Sequence, residues 1–226
     1  DEQLGALLAH HPDVVVVADD VDRVRALGVD AAEILDPAGW LAATAEGPSA
    51  AELAPSIVDG DDIAVLLYTS GTSSEPKAVV LRHRHLAAYV ITSIEFASAD
   101  EDAVACIAVP TYHIAGVANT ITSVYSTRRF VYLPTFSPAA WLDLVRTEAV
   151  THAFLVPTML ARVVDELDGA PADAPALRAL SYGGARMPIT VLERALAAFP
   201  EPGFVNAYGL TETSSTLAVL TPDDHR

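Results

Sequence analysis

Short apolar runs of strand length alternate along this chain with segments of helical period, and that alternation restricts its fold more than any other feature. Val14 to Val17, Ile63 to Tyr68, Val79 to Leu81, Val104 to Val109, Phe130 to Leu133, Ala153 to Val156 and Leu177 to Ser181 are continuous and rich in β-branched residues. Such runs suit strands buried on both faces, as parallel sheets require. Between them, Leu160, Val163, Val164 and Leu167 repeat at i, i+3, i+4, i+7 behind Pro157, a residue well placed at a helix start. Trp141, Leu144, Val145 and Ala149 share one face of a second helix; Leu192, Ala195, Leu196 and Phe199 share one face of a third. Thr190, with Glu193 three residues on, predicts a capping box for that third helix. Residues 85–96 and 114–125 are further helical segments. The order predicts an α/β fold, a mainly parallel sheet flanked by helices with right-handed crossovers. Residues 44–62 and 168–176 have the Ala, Gly, Pro and Asp content of loops.

Composition excludes several classes of function. Of the 226 residues 51% are hydrophobic, enough to bury a core, which argues against disorder. A net charge of −17 argues against nucleic acid and anionic membrane surfaces as partners. The single cysteine, Cys106, excludes an internal disulfide framework and a cysteine-based zinc site, and sits in an apolar run where it is expected to be inert. No apolar run approaches the roughly 18 residues of a membrane span. No signal peptide opens the chain, which predicts a soluble cytoplasmic protein. His83 and His85, two residues apart around Arg84, read as a solvated helix start rather than a metal site.

Twelve of the thirteen basic residues are arginine, so Lys77 is the single lysine. It follows Thr69-Ser70-Gly71-Thr72-Ser73-Ser74-Glu75-Pro76, between the runs at 63–68 and 79–81. Hydroxyls and backbone N–H groups around a flexible glycine, with one compact positive charge, suit a polyphosphate. By composition alone the loop would equally serve as a solvated Ser/Thr turn. It lacks the Gly-x-x-x-x-Gly-Lys-Ser/Thr pattern, and no Gly-x-Gly-x-x-Gly occurs in the chain.

Thr69 to Ala78 resembles the phosphate loop of the adenylate-forming superfamily, Thr-Ser-Gly-Thr-Thr-Gly-x-Pro-Lys-Gly, with Ser73, Ser74 and Ala78 as departures. Three further segments follow in the same order. Pro110-Thr111-Tyr112-His113-Ile114-Ala115-Gly116 resembles the Pro-x-x-His-x-x-Gly segment of acyl-CoA synthetases. Gly183-Gly184-Ala185 resembles the Gly-Gly-Ala segment, and Tyr208-Gly209-Leu210-Thr211-Glu212 the Tyr-Gly-x-Thr-Glu segment. The resemblance covers residues from about 60 to 220.

What the resemblance implies is ATP-dependent activation of a carboxylic acid, fatty or otherwise acyl, to an acyl-adenylate, followed by thioester formation with CoA. It implies a phosphate site of Thr69, Ser70, Gly71, Thr72, Ser73, Ser74 and Lys77. Gly183, Gly184, Ala185, Tyr208 and Gly209 would lie against adenine and the acyl group. Thr211 would meet a phosphate oxygen, Glu212 would hold Mg²⁺, and His113 would lie beside the acyl pocket. By itself His113 reads as a packed or capping histidine, and Tyr208-Gly209 as a turn with a core tyrosine. The family's ribose-binding aspartate and small C-terminal domain, with its second lysine, find no counterpart. Residues 1–226 are therefore expected to be an incomplete adenylation domain, inactive in isolation. Two alternatives remain open at this point: a non-catalytic nucleotide-binding or interaction module of the same fold, and a peptide-synthetase adenylation domain or luciferase-like oxidase.

Overall fold

The computed structural model describes residues 15–18, 20–28, 33–45, 58–69 and 77–225. They fall into two units, Asp1–Ile57 and Val58–Arg226. In the first unit β1 (Val15–Val17) pairs in parallel with β2 (Glu33–Leu35). The crossover carries α1 (Val21–Ala26), whose first turn is capped by Asp20, the carboxylate accepting from Arg23 N at 2.9 Å. α2 (Pro37–Ala45) follows. Val15 and Val17 remain about half exposed, so within this unit β1 is not a strand buried on both faces. Val14 and most of the expected loop at 44–62 lie outside the described residues.

The second unit carries the parallel sheet. β5 (Val104–Ile107), β6 (Arg129–Tyr132), β7 (His152–Leu155), β8 (Ala179–Gly183) and β9 (Gly203–Leu210) are parallel, and β10 (Ser215–Leu220) closes one edge antiparallel to β9. The spatial order is β10-β9-β8-β7-β5-β6. The chain therefore moves to one side from β5 to β6, then back across β5 to β7. Right-handed crossovers put α4 (Ile114–Tyr125) on one face of the sheet. They put α5 (Pro138–Thr147), α6 (Pro157–Leu167) and α7 (Ile189–Ala198) on the other.

The face under α5, α6 and α7 is densely packed. Trp141, Val145, Leu160, Val163 and Phe199 meet Cys106, Leu155, Leu180 and Phe204 in one buried cluster. The Trp141 and Phe199 rings stand edge to face at 6.1 Å. Each such side chain contributes roughly 1.5–3 kcal/mol on burial. Period-2 alternation sends the intervening residues Phe154, Ser181 and Val205 to the opposite face, under α4.

Two titratable groups, the buried Cys106 and the half-buried His152, give measurable consequences. Burial pushes the Cys106 thiol up to about 12, which the Trp141 indole N–H offsets only in part. The native protein is expected to leave Cys106 unreacted with a thiol-titrating disulfide reagent at pH 8, and to release it fully in denaturant. His152 is pushed down to about 4, first by burial and then by the charges of Arg128 and Arg178. The unfolded chain binds this proton near the ordinary 6.5 and the folded chain only near 4, so the unfolded state holds more protons between those values. Stability should rise as pH climbs through that window and be lost as it falls. Urea midpoints for His152→Gln should show a flatter slope between pH 4 and 6.5 than the parent protein.

Several sequence expectations shift. The run at 63–68 and that at 79–81 are not parallel, doubly buried strands. They form an antiparallel hairpin, β3 (Ile63–Thr69) with β4 (Lys77–Arg82), in a sheet of their own, with Ile63 and Val80 exposed. The run at 177–181 gives a strand two residues later, because the Arg178 and Ala179 N–H groups both bond to Thr151 O before the ladder begins. The helix expected over 85–96 is α3 (His83–Ser93), with His85 Nδ1 accepting from Arg82 N at 3.2 Å. The capping box at Thr190 does not form: α7 starts at Ile189 after Pro188, with no side-chain cap, so Thr190 already lies inside the helix. β9 and β10 answer to no run singled out in the sequence.

Candidate active site

All the singled-out segments of the second unit that fall within described residues meet at the carboxyl end of the parallel strands or beside it. Pro110 to Gly116 follows β5, Gly183-Gly184 ends β8, and Tyr208 to Glu212 ends β9. The strand order reverses between β5 and β7, and that is where an open α/β sheet leaves a crevice for ligands.

His113 is the N-cap of α4, its Nδ1 accepting from Ala115 N at 3.1 Å. Because Nδ1 accepts, the neutral ring carries its proton on Nε2, which stays available as a donor. Its Cε1 would stand 3.9 Å from a Cβ placed on Gly184, so the imidazole and the glycine turn are neighbours. The last residue of the Pro-x-x-His-x-x-Gly segment has a steric reason: a Cβ on Gly116 would lie 2.4 Å from Pro110 O. The helix therefore folds back tightly onto the strand end that precedes it.

Gly209 has a stronger requirement, since a Cβ there would lie 1.6 Å from Ser215 O. The chain reverses between β9 and β10 through a short 3₁₀ turn, Thr211–Thr213, and then Ser214 and Ser215 at φ 58° and 106°. A serine at φ 106° is strained by roughly 1–3 kcal/mol, the kind of cost that functional loops carry. Thr213 Oγ1 holds the turn, accepting from Leu210 N at 3.0 Å. Thr211 and Glu212 project from this turn, and β4, the strand that begins with Lys77, packs against it. Tyr208 is 60% exposed, which leaves its ring face open for stacking instead of placing it in the core.

Thr69 and Lys77 are paired across the hairpin, so the two ends of the hydroxyl-rich loop are held at adjacent positions. Ser70, Gly71, Thr72, Ser73 and Ser74 lie outside the described residues. Most arginines of the described residues are tied to a carboxylate, a carbonyl or a ring: Arg84 to Asp61, Arg129 to Glu148, Arg178 to Asp100 and Asp102, Arg194 to Asp165, Arg162 over Phe136. Among the described residues Lys77 makes no ion pair. A lone cation in so acidic a chain suits an anionic ligand. Glu212 is exposed and likewise forms no ion pair among the described residues. No cluster of three or more metal-ligating side chains occurs among them. A single free carboxylate fits Mg²⁺ that arrives on a polyphosphate, which the ion holds by one or two carboxylates plus phosphate oxygens.

A cavity of about 410 Å³ lies on the α4 face of the sheet. Ala115, Ala118, Asn119 and Thr122 of α4, Tyr89 and Thr92 of α3, and Phe154, Ser181 and Ala207 of the sheet form its walls. It shares Ala115, Phe154, Ala207 and Thr216 with the small crevice at His113, Gly184 and Gly209. It also shares Tyr89, Thr92 and Thr216 with a hollow of about 360 Å³ that holds Glu212 and His85. His113, Gly184, Gly209 and Glu212 thus line adjoining spaces that share walls. Gly183 has its backbone against Ala207, and Ala185 continues the exposed turn after Gly184. Sequence reasoning missed Asn119, Phe154, Ser181 and Thr216. For Asn119 a signal was present: Ala115, Ala118, Asn119 and Thr122 stand at i, i+3, i+4, i+7 and are small or polar where a packed helix face is apolar.

The family model described as AMP-binding enzyme matches residues 2–226. The fatty acid–[acyl-carrier-protein] ligase ScoC of Streptomyces coeruleorubidus is 33% identical over 178 residues, covering 76% of this chain and 34% of its own length. The 2-succinylbenzoate–CoA ligase of Bacillus licheniformis is 32% identical over 164 residues, covering 72% of this chain and 33% of its own length. The ATP-bound crystal structure of MatB from Rhodopseudomonas palustris superposes with a TM-score of 0.82 at 25% identity, over 98% of this chain and 45% of that one. The chain spans about a third of the length of these curated relatives. No helix among the described residues is long and apolar enough to cross a membrane.

Proposed function

The chain belongs to the AMP-binding enzyme family, and from that premise we propose that it supplies nucleotide and acyl sites of an AMP-forming acid–thiol ligase, as part of an adenylation domain. The enzyme would join a small carboxylic acid to ATP, releasing pyrophosphate, and pass the acyl group from the adenylate to a thiol, CoA by preference over a carrier protein. The observation that carries this reading is the meeting of His113, Gly184, Gly209 and Glu212 around adjoining cavities at the carboxyl edge of one sheet. A relative named as a CoA ligase and a fold shared with an ATP-bound protein support it.

The first step must bring an anionic carboxylate to an anionic α-phosphate. Lys77, with Thr69 and the hydroxyls of residues 70, 72, 73 and 74, would hold the β- and γ-phosphates and offset charge as it moves to the departing pyrophosphate. Thr211 would donate to the α-phosphate. Bound Mg²⁺, with Glu212 as its protein ligand, would supply charge neutralisation on the phosphate oxygens. Adenine would lie along Gly183, Gly184 and Ala185 with Tyr208 against its face, while Gly209 keeps the backbone clear. The Nε2–H of His113 would orient a carboxylate oxygen of the substrate at the mouth of the cavity. Holding both reactants on one rigid sheet edge supplies proximity.

The test is product analysis with the full-length protein. Pyrophosphate exchange into ATP should require a carboxylic acid, and added CoA should give AMP and thioester in equal amounts. ADP in place of AMP would contradict the proposal.

A further inference from the structure

The large cavity has an unusual wall. The inward stripe of α4 carries two alanines that leave room and two polar residues, Asn119 and Thr122, that face it. One donor of each is already committed. Asn119 Nδ2 donates to Ala115 O at 2.7 Å, and Thr122 Oγ1 donates to Ala118 O at 2.7 Å. Across the cavity Thr92 Oγ1 donates to Ala88 O at 2.7 Å. The Asn119 amide cannot be turned around, because Oδ1 would then face a carbonyl oxygen. These three side chains leave oxygen lone pairs and the second Nδ2–H of Asn119, and the hydroxyls of Tyr89, Ser93, Ser181, Ser215 and Thr216 also line the cavity.

A wall of uncharged groups that both accept and donate calls for a ligand end that does the same. A purely alkyl or aryl chain would strip water from Asn119 Oδ1 and Thr122 Oγ1 and return nothing, at a cost for each buried unpaired group. A second carboxylate or an ammonium would find no counter-charge, since among the described residues no Lys, Arg, His, Asp or Glu lines the cavity. A neutral hydroxyl satisfies both conditions. Asn119 lies six residues along the helix axis from His113, about 9 Å at about 1.5 Å per residue, so the hydroxyl belongs at the far end of the acid.

We propose that this cavity selects a carboxylic acid whose distal end is neutral and bears a hydroxyl group, with Asn119 as the specificity-determining residue and Thr122 as its neighbour in the same role. This selectivity presupposes the adenylating role proposed above. Pyrophosphate exchange by the full-length protein tests it with matched pairs: 3-(4-hydroxyphenyl)propanoate against 3-phenylpropanoate, and 8-hydroxyoctanoate against octanoate and octanedioate. In at least one pair the hydroxy acid should be favoured in kcat/KM by about tenfold, through KM, and octanedioate should be the poorest of its set. Asn119→Leu should bring the ratio within a pair to near one or invert it, and Thr122→Val should lower it part of the way. Each ratio is read within one variant, so a loss of folded protein cancels. Equal rates within every pair, a preference for octanedioate, or an unchanged ratio in both variants would overturn the selectivity and leave the adenylating role standing. Exchange with no acid at all would overturn the adenylating role and the selectivity together.

Discussion

Replacing Lys77 with alanine in the full-length protein is expected to lower carboxylate-dependent pyrophosphate exchange by about 10²–10³-fold, the loss typical of removing one preorganised charge donor from a transition state. The expectation follows from solitude as much as from position. Lys77 is the single lysine of the chain, it begins β4, it faces Thr69 across the hairpin, and it pairs with no carboxylate among the described residues. Its strand packs on the turn that bears Thr211 and Glu212. Glu212→Gln keeps the shape and removes the negative charge, so its loss of about 10²-fold should be recovered in part by raising Mg²⁺, while that of Lys77→Ala should not. Arginine at position 77 should restore little, because a planar fork does not reproduce a compact charge among phosphate oxygens. Steady-state exchange rates over a magnesium series decide both points. Wild-type rates in Lys77→Ala and Glu212→Gln would show that the phosphate site has been assigned to the wrong residues.

The second large effect is structural. Gly209→Ala would place a methyl group 1.6 Å from Ser215 O, a backbone atom that no rotamer change can move aside. Either β9 and β10 separate at Thr216, or the already strained Ser215 shifts further. A loss of about 3 kcal/mol is expected, at the upper end for overpacking. Urea unfolding measures it directly. Ser215→Gly should act in the opposite direction, by up to about 1 kcal/mol, because φ 106° suits glycine. A Gly209→Ala protein as stable as the parent would mean that this turn does not have the geometry described.

Much of this fold could be read from the chain, for definite physical reasons. β5, β7 and α6 follow from uninterrupted apolar runs and a helical stripe behind Pro157, where burial on one or both faces leaves no other pattern. The hairpin was visible as two strands, but not as antiparallel and half exposed, since an apolar run does not record its partner. β9 and β10 escaped because Ala207, Gly209 and Thr216 answer to the cavity and the tight turn, and so break the strand pattern. Thr190 and Glu193 satisfied the spacing of a capping box, but the helix starts at Ile189, with Pro188 as its N-cap two residues before Thr190. His113 shows how a plain reading and a functional one can coexist: it caps α4 through Nδ1, and the cap leaves Nε2 as the nitrogen free to donate, on a ring that sits beside Gly184. The cavity itself needed tertiary structure, because Phe154, Ser181 and Thr216 come together with Asn119 only through the sheet order.

Hydrogen–deuterium exchange on the full-length protein, with and without an acyl-sulfamoyl-adenosine that mimics the acyl-adenylate, tests the central claim most directly. The mimic should protect residues 113–122, 181–186 and 205–216 together, three of the segments that line the adjoining cavities at the carboxyl edge of the sheet. Tight binding that leaves those segments unprotected, or protects only other parts of the chain, would contradict the assignment of this edge as the place where the acid and the nucleotide meet.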